Sequence, residues 1–457
     1  MGRAKSTVGK VGLITPNYFQ LFYYLRSLNQ EIMSVYRNDL DFAREKDAND
    51  PLRKYRNEFY LPSFHEKDVV YFTGNSLGLQ PKRTKDFIQQ ELDDWAKWGV
   101  EGHFHAKNPW FSYHELLTEK AAKVVGALPK EVVITHSLTT NLHLLMVSFY
   151  RPEGKRYKIL CEGKAFPSDQ YALESQVKFH GYTPNDAIVE LFPREGEHTI
   201  RHEDVLKAIE DHKDELALIM IGGVNYYTGQ VFDMKDITRA GHEAGAVVGF
   251  DLAHAAGNIT MQLHDWGVDF AAWCTYKYLN SSPGGVSGLF VHERHANNSD
   301  LPRFAGWWGH DKDVRFKMEP GFRPMEGAEG WQLSNAPVLG MAAHLASLTI
   351  FDEVGMEAIG KKRDDLTAYL EFIIQTISEG SDKANFEIIT PSNPIERGAQ
   401  LSILAHGQGK ALFDTMMEQG VIADWREPNV IRIAPAPLYN SYEDVYRFGQ
   451  ILQSAIV

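Results

Sequence analysis

Three residues with chemically useful side chains, Asp251, His254 and Lys277, interrupt two otherwise apolar stretches of the sequence. Asp251 and His254 belong to "VGFDLAH", and Lys277 follows in "WCTYKYLN", where a lysine between two tyrosines would ordinarily be a surface residue. In this order the three residue types match the needs of pyridoxal phosphate chemistry. A lysine amine can hold that cofactor covalently, and a carboxylate can keep its pyridine nitrogen protonated.

Two further loops, "HSLTTN" and "KAFPSD", offer a site for a phosphate group. Each loop follows a short apolar run and precedes a helix-period pattern, so each is expected between a strand end and a helix start. Hydroxyls and backbone amides at a helix N-terminus can bind a phosphate dianion. Ser137, Thr139 and Thr140 supply such hydroxyls, although helix capping alone would also explain them.

The elements that must position these residues alternate between apolar strands and amphipathic helices. The pattern runs through "LALIMIGGVNYYTGQ", "MKDITRAGHEAGAVVGFDLAHAAGN" and "VDFAAWCTYKYL". Apolar strands separated by helices predict a mainly parallel sheet that is covered on both faces. Ligands of such sheets bind beyond the carboxyl ends of the strands, which is where Asp251 and Lys277 are expected.

The same patterns divide the chain. Residues 109–336 are predicted to form a large α/β domain, and residues 337–457 a small C-terminal α+β domain with strands near "GAQLSILAH" and "NVIRIAPA". Residues 35–108 form a separate N-terminal segment. Residues 1–34 are an extension without an assigned role. Their basic composition loosely suggests a transit peptide, but an untrimmed start or a docking extension fits at least as well, and Met33 is an alternative start.

The composition favours an enzyme that acts on a small molecule. Lys and Arg total 47 against 60 for Asp and Glu, a formal net charge of -13, which argues against nucleic acid or an anionic membrane as the main partner. No apolar stretch is long enough to span a bilayer. The only cysteines, Cys161 and Cys274, cannot build a disulfide framework, so a reducing, cytoplasmic compartment is expected. No metal site is expected, because "HERH" lacks the spacing of a zinc helix.

Six motifs in a fixed order resemble the kynureninase family, pyridoxal-phosphate hydrolases of the aspartate-aminotransferase fold. From about residue 35 onward they are "YFTGNSLGLQP", "AFPSDQYALESQ", "VGFDLAHAAGN", "HDWGVDFAAWCTYKYLN", "GWWGH" and "NVIRIAPAPLYNS". The resemblance implies a fold type I enzyme with a mainly parallel seven-stranded sheet, in which residues 35–108 contribute to the small domain and the substrate site. It also implies a homodimer with shared active sites that hydrolyses the Cβ–Cγ bond of L-kynurenine or 3-hydroxy-L-kynurenine.

The resemblance assigns roles to single residues. It implies that Lys277, Tyr276 and Asp251 are catalytic: Lys277 holds the cofactor and moves protons, Tyr276 contacts the phosphate and is a possible proton relay, and Asp251 pairs with the ring nitrogen. Phe166 is implied to stack on the ring, and the "GWWGH" loop is implied to reach the phosphate of the partner subunit's site. The other residues implied to bind the cofactor are Leu138, Thr139, Pro167, Ser168, Asp169, His254, Trp307 and Asn335.

Gly222 departs from the family pattern. Close relatives carry a serine before "GV", whereas this chain has glycine, so only the backbone at this position can approach the cofactor.

Arg432 in "VIRIAP" is the strongest candidate for substrate binding. An arginine on a strand of a C-terminal domain is usually exposed, but in this fold such a residue typically clamps the substrate α-carboxylate through two parallel hydrogen bonds. The resemblance also implies that Ser76, His103 and Asn335 contact the aromatic end of the substrate.

Three alternatives stay open at this point. A cysteine desulfurase-like lyase of the same fold would need a catalytic cysteine downstream of the lysine, and no cysteine follows Cys274. An aminotransferase would need a site that accepts a second keto acid. A non-catalytic pyridoxal-binding protein would retain the fold and the lysine without turnover.

Overall fold

The computed structural model describes residues 36–296 and 298–456, so the predicted extension at residues 1–34 lies outside the described residues. The strands, numbered along the chain, are β1 Ser63–Phe64, β2 Lys67–Asp68, β3 Val70–Tyr71, β4 Val132–Thr135, β5 Lys158–Glu162, β6 Ile188–Leu191, β7 Leu216–Gly222, β8 Val247–Asp251, β9 Phe270–Cys274, β10 Ser287–Val291, β11 Phe386–Ile388, β12 Leu401–Ala405, β13 Val421–Ile422, β14 Asp424–Arg426 and β15 Val430–Ile433.

The helices connect and cover these strands. The α-helices are α1 Leu40–Asn49, α2 Thr84–Trp98, α3 Gly102–His105, α4 Glu115–Val125, α5 Leu138–Phe149, α6 Pro167–Phe179, α7 Pro184–Ala187, α8 His202–Asp211, α9 Met234–Glu243, α10 Leu263–Trp266, α11 Glu293–Ala296, α12 Val338–Val354, α13 Met356–Glu379, α14 Gly409–Glu418 and α15 Tyr442–Ala455. Short 3-10 turns span Arg53–Glu58, Gly99–Glu101, Trp110–Ser112, Pro129–Glu131, Arg315–Lys317, Gly327–Trp331 and Pro394–Glu396.

A seven-stranded sheet forms the centre of the fold, as predicted. Its spatial order is β4-β10-β9-β8-β7-β5-β6. The strands β9, β8, β7, β5 and β6 pair in parallel, and β10 alone runs against its neighbours. The predicted class, α/β with a mainly parallel sheet, is therefore confirmed.

Both faces of this sheet are buried, which explains why its strands are nearly continuous apolar runs. Val132 and Ile134 of β4 contribute to one core cluster, whereas Val133 between them contributes to another on the opposite face. Every residue of β4, β9 and β10 is buried. A strand that is buried on both faces leaves polar side chains only at its ends, and that is where the chemical residues lie.

Close packing explains one glycine beside the site. Gly249 lies in β8, directly opposite Phe270 of β9. A Cβ at position 249 would meet the Phe270 ring at 2.2 Å, so only glycine leaves room for that ring. The strand that ends at Asp251 is thereby held tightly against the strand that leads to Lys277.

A second, antiparallel sheet has the order β11-β12-β15-β14. Its core includes residues from β12, β15, α13 and α15, with Phe42 and Phe72 from the N-terminal part of the chain. The short strand β3 pairs in parallel with β13, which joins that N-terminal part to the C-terminal sheet. The exact domain boundaries stay predictions.

Within residues 36–296 and 298–456, no single helix is long and apolar enough to cross a membrane. Helices α12 and α13 meet the length and composition requirements only as a pair, and an 82° bend separates them.

A buried ion pair fastens the N-terminal segment to helix α13. Lys362 Nζ lies 2.7 Å from the Asp50 carboxylate, and the two side chains are only 6% and 3% exposed. We expect Lys362→Met to lower the free energy of unfolding by about 3 to 5 kcal/mol, because Asp50 would be left buried without its cation. Chemical denaturation followed by circular dichroism measures this change.

The double variant Lys362→Met/Asp50→Asn is the matched control, because it removes both charges together. We expect it to recover most of the lost stability. Equal losses in the single and double variants would contradict the role assigned to the ion pair.

Candidate active site

One cavity of about 180 Å³ collects most of the residues predicted to hold the cofactor. It opens beyond the carboxyl ends of the parallel strands, as expected for a sheet of this type. The cavity is lined by Ser137, Leu138, Thr139, Glu162, Phe166, Ser168, Asp169, Gly222, Val224, Tyr226, Asp251, Ala253, His254, Tyr276 and Lys277. Pro167 is the first residue of helix α6. Phe166 is the N-cap residue before it, and Ser168 is the second residue of the helix.

Lys277 lies three residues beyond the end of β9 and points its amine into the cavity. Its Nζ is 2.9 Å from Nε2 of His254 and 5.8 Å from the centre of the Phe166 ring. Burial and the Lys277 charge lower the pKa of His254 well below its usual value, so His254 is a neutral imidazole at neutral pH. A neutral Nε2 can accept a hydrogen bond from the lysine amine.

Asp251 ends strand β8 and is 6% exposed. Its Oδ1 accepts the Ala253 amide at 2.6 Å. Burial raises the pKa of Asp251, while the Ala253 amide and the Lys277 charge oppose that rise. Burial and the neighbouring Asp251 carboxyl raise the pKa of Asp169 well above its usual value, so the proton of this pair resides on Asp169 and the negative charge on Asp251.

Two helix starts meet at the opposite side of the cavity. Thr139 in the first turn of α5 and Ser168 in the first turn of α6 share a hydrogen bond of 2.8 Å between their hydroxyls. Ser137 occupies the N-cap position of α5, but its hydroxyl contacts the Thr140 hydroxyl rather than a backbone amide. The first amides of α5 and these hydroxyls together form a donor-rich end that suits a phosphate.

Two aromatic side chains border the lysine. Phe166 is 42% exposed and contacts Tyr226 edge to face, with ring centres 5.3 Å apart. The Tyr276 ring centre lies 5.9 Å from Lys277 Nζ. Burial raises the pKa of the Tyr276 phenol, which therefore keeps its proton at neutral pH.

Arg432 lies beside this cavity on strand β15, buried rather than exposed. One guanidinium nitrogen donates to the carbonyl of Tyr226 at 2.6 Å, and Tyr226 itself lines the cavity. Another nitrogen contacts Ser76 Oγ at 3.4 Å and forms an ion pair with Asp424. Ser76 also donates to Asp424. The structure thus brings the predicted residues Ser76 and Arg432 together, and Asp424 contacts both of them.

Six predicted residues are not among those that line this cavity: Pro167, Ser76 and Arg432, described above, and His103, Asn335 and Trp307. His103 and Asn335 line a second, largely apolar cavity of about 260 Å³ together with Trp95, Trp110 and Leu339. Trp307 lies on the surface, 40% exposed, with its ring against Phe316.

Sequence reasoning missed three residues of the site: Glu162, Tyr226 and Asp424. Glu162 closes an apolar strand, and Tyr226 follows "GGVN" in a loop after β7, so the rule that ligands lie beyond strand ends could have found both. Asp424 lies eight residues before Arg432 on the adjacent strand β14 and pairs directly with it, a register for which the sequence carries no signal.

Neither cysteine suits nucleophilic chemistry. Cys161 and Cys274 are both buried and free. Burial raises the pKa of the Cys274 thiol to about 11, so the thiolate required for attack is scarce at neutral pH.

His292 of the "HERH" stretch lies close to Glu131 and His264. Glu131 Oε1 already binds His264 Nδ1 at 3.0 Å and the Glu293 amide at 2.8 Å. These hydrogen bonds hold the group together, and none of its residues lines either cavity described above.

Residues 359–452 match a family model described as the kynureninase C-terminal domain. Over 423 residues the chain is 64% identical to the kynureninase of Flavobacterium johnsoniae, an alignment that covers 93% of this chain and 99% of that protein. It is 55% identical over 420 residues to the kynureninase of Myxococcus xanthus, covering 92% and 98% of the two chains. The kynureninase of the animal Nematostella vectensis is 48% identical over 434 residues, covering 91% and 93%.

Solved structures show the same fold at low sequence identity. A C-DES variant with glycine covalently linked to its pyridoxal phosphate cofactor gives a TM-score of 0.72 at 17% identity, covering 87% of this chain and 98% of that one. A cysteine desulfurase from Escherichia coli gives a TM-score of 0.71 at 17% identity, covering 88% and 98%. At this identity the likeness concerns the fold type alone.

Proposed function

The chain belongs to the kynureninase family, and from this premise we propose that it hydrolyses L-kynurenine, 3-hydroxy-L-kynurenine or both. The products are anthranilate or 3-hydroxyanthranilate, together with L-alanine. The observation that carries this proposal is 64% identity across 99% of a curated kynureninase. The cavity around Lys277 is consistent with it, because amine, carboxylate, aromatic ring and guanidinium converge there.

The residues of the cavity fit pyridoxal phosphate. Lys277 would hold the aldehyde carbon, Asp251 the ring nitrogen, Phe166 the ring face, and the first turn of α5 with Thr139 and Ser168 the phosphate. The bound cofactor supplies an electron sink for the electrons released when bonds at Cα and Cβ break.

Lys277 carries protons to and from the substrate. When it is not bound to the cofactor, the lysine amine could remove the proton from Cα of the substrate. Neutral His254 accepts a hydrogen bond from that amine and so keeps it directed into the cavity. The Tyr276 phenol retains its proton at neutral pH and could donate one to Cβ, the carbon that stays with the alanine product. One water is consumed, and its oxygen ends in the carboxylate of the aromatic product.

Arg432 fixes the amino-acid end of the substrate, and Ser76, which the resemblance assigns to the aromatic end, contacts the same guanidinium. The Arg432 guanidinium is buried and is held by the Tyr226 carbonyl, so a substrate carboxylate would meet it without water between them. Asp424 now pairs with the same guanidinium. A substrate carboxylate must therefore share or displace the Asp424 contact.

We place the homodimer with shared sites in the same proposal. His103 and Asn335 lie in a cavity separate from that of Lys277, and Trp307 lies on the surface. The neighbouring surface exposes large apolar side chains, among them Phe104, Phe316 and Met318, a feature typical of an interaction surface. A second copy seated there would bring His103, Asn335 or Trp307 to the first copy's cavity.

We also propose a cytoplasmic location and a role in tryptophan breakdown or nicotinamide-cofactor synthesis. Support for the location comes from two free, buried cysteines in a chain without disulfides among the described residues. L-kynurenine and 3-hydroxy-L-kynurenine occur both in tryptophan breakdown and in nicotinamide-cofactor synthesis.

The rival activities predicted from sequence have less support. A desulfurase shares the fold but needs an accessible cysteine, whereas both cysteines here are buried. An aminotransferase or a non-catalytic pyridoxal-binding protein remains distinguishable by assay.

The activity test offers the purified protein, loaded with pyridoxal phosphate, each of the two substrates separately. We expect fluorescent anthranilate or 3-hydroxyanthranilate from at least one of them, and none from the Lys277→Ala variant. Kynurenic acid formed from kynurenine with pyruvate would instead indicate an aminotransferase. Absence of every product, with the absorbance of bound cofactor still present, would favour the non-catalytic alternative.

Arg432→Ala tests the carboxylate clamp. We expect KM to rise by an amount equivalent to about 2 to 5 kcal/mol, because a charge-assisted contact to the substrate is lost. Initial rates over a range of kynurenine concentrations measure it. Arg426→Ala is the matched control, since Arg426 also pairs with Asp424 but is 38% exposed, and its KM should change little. An unchanged KM in Arg432→Ala would remove that residue from the site.

Mixed dimers test whether sites are shared. We expect co-expressed Lys277→Ala and Asn335→Ala subunits to recover about a quarter of wild-type activity, because random pairing leaves one intact site in half of the dimers. Lys277→Ala mixed with Asp251→Ala should recover none, since both residues line the same cavity. Failure of the first mixture, with each variant inactive alone, would show that Asn335 serves its own subunit.

A further inference from the structure

Glu162 is a third carboxyl group in the cofactor cavity, beside Asp251 and Asp169. It ends strand β5, is 5% exposed and lines the cavity. Strand β7 separates β5 from β8, and its last residue, Gly222, pairs directly with Asp251. Glu162 and Asp251 therefore flank the same glycine at the carboxyl edge of the sheet.

The Glu162 carboxyl has one hydrogen-bond donor and no counter-ion. Its Oε2 accepts the Gly222 amide at 2.8 Å. Among the ion pairs of the described residues, none includes Glu162. A buried carboxylate without a cation is costly, so proton binding is the available way to lower that cost.

The glycine at position 222 makes room for this carboxyl. Gly222 has no positive φ, so its backbone conformation does not require glycine. A Cβ built there would lie 2.8 Å from Glu162 Oε1, which is closer than real Cβ contacts. A side chain at position 222 would therefore take the space that the Glu162 carboxyl occupies; it would not strain the backbone.

The groups that face Glu162 are mostly acidic. Asp169 lies on helix α6, Asp251 ends β8, and Lys277 is the one cation among the residues that line the cavity. His254 is neutral because its pKa is strongly lowered, and Cys161, next to Glu162 on β5, has a raised pKa. Burial, reinforced by Asp251 and opposed by the Gly222 amide, raises the pKa of Glu162 to about 7. The charge of the three carboxyls thus changes by one near neutral pH.

We propose that Glu162 is a positioning residue that acts through Asp251: by gaining or losing its proton it sets the negative charge around Asp251 and hence how strongly the cavity holds a protonated pyridine ring. With Glu162 protonated, Asp251 alone attracts the ring nitrogen. With Glu162 ionised, a second negative charge adds to that attraction. The inference concerns the cofactor, so it does not depend on which substrate the enzyme uses.

Cofactor affinity provides the first test. Full-length protein freed of cofactor is titrated with pyridoxal phosphate at pH 6 and pH 8, and binding is followed by quenching of tryptophan fluorescence. We expect the affinity gain between these pH values to be about tenfold smaller in Glu162→Gln than in the wild type, which corresponds to about one pKa unit of coupling. An equal gain in cofactor affinity between pH 6 and pH 8 in the two proteins would overturn the proposal.

Two further variants control this comparison. Glu190→Gln changes an exposed glutamate on the adjacent strand β6 and should behave like the wild type. Gly222→Ala keeps Glu162 but pushes its carboxyl away from the Gly222 amide, so it should also change the pH dependence of cofactor binding. A Gly222→Ala protein indistinguishable from wild type would contradict the geometry on which the proposal rests.

Thermal unfolding of the same cofactor-freed proteins tests the proton itself. A carboxyl whose folded-state pKa lies above its unfolded value loses stabilisation as pH rises from the unfolded pKa through the folded one, here from about 4.5 to about 7. The Tm of the wild type should therefore fall relative to that of Glu162→Gln across this window and run parallel above it. A constant Tm difference would show that Glu162 does not bind a proton there and would overturn the proposal.

These measurements separate this inference from the proposed activity. Absence of kynurenine hydrolysis with an altered pH dependence in Glu162→Gln would reject the activity and keep the role of Glu162. Normal hydrolysis, with the same pH dependence of cofactor binding in Glu162→Gln and the wild type, would keep the activity and reject the role of Glu162.

Discussion

The site depends on one electrostatic constraint: several ionisable groups are buried at one edge of a sheet, and their charges must compensate within that edge. Asp251 is almost fully buried at the end of β8, and the nearby cation is Lys277. The surrounding groups are neutral or can become so. His254 loses its charge through burial, Asp169 holds a proton, and Tyr276 keeps its own. With Glu162 protonated, one carboxylate and one amine therefore carry the charge of the cavity.

Strand packing supplies the precision that this arrangement needs. The residues that carry charge follow strands whose other residues are buried on both faces, so the ends of those strands cannot shift without disturbing the core. At Gly249 even a methyl group would force such a shift, because its Cβ would meet the Phe270 ring, whereas at Gly222 it would displace only the Glu162 carboxyl. The chemical groups owe their positions to apolar neighbours that never touch a ligand.

The sequence was sufficient to predict the sheet and the half of the site that lies in loops after apolar strands. Lys277 and Asp251 stand out against their neighbours and lie where ligands gather, at strand ends, whereas Phe166 is named from the family resemblance. Glu162 and Asp424 were missed for a different reason. Each becomes meaningful only through a partner on another strand, Gly222 in one case and Arg432 in the other, and such pairings depend on register. His103, Asn335 and Trp307 were named from family resemblance, and one subunit alone does not bring them to Lys277.

Pairing between β3 and β13 has a mechanical consequence. Through it, and through the hydrogen bond from the Ala434 amide to the Phe72 carbonyl, the segment that carries Ser76 is built into the same body as Arg432. Lys277 belongs to the other body, the seven-stranded sheet. The Gly78 amide also donates to the Tyr276 carbonyl, so the same segment is tied to the loop that carries Lys277 and limits how far Arg432 can move from the lysine.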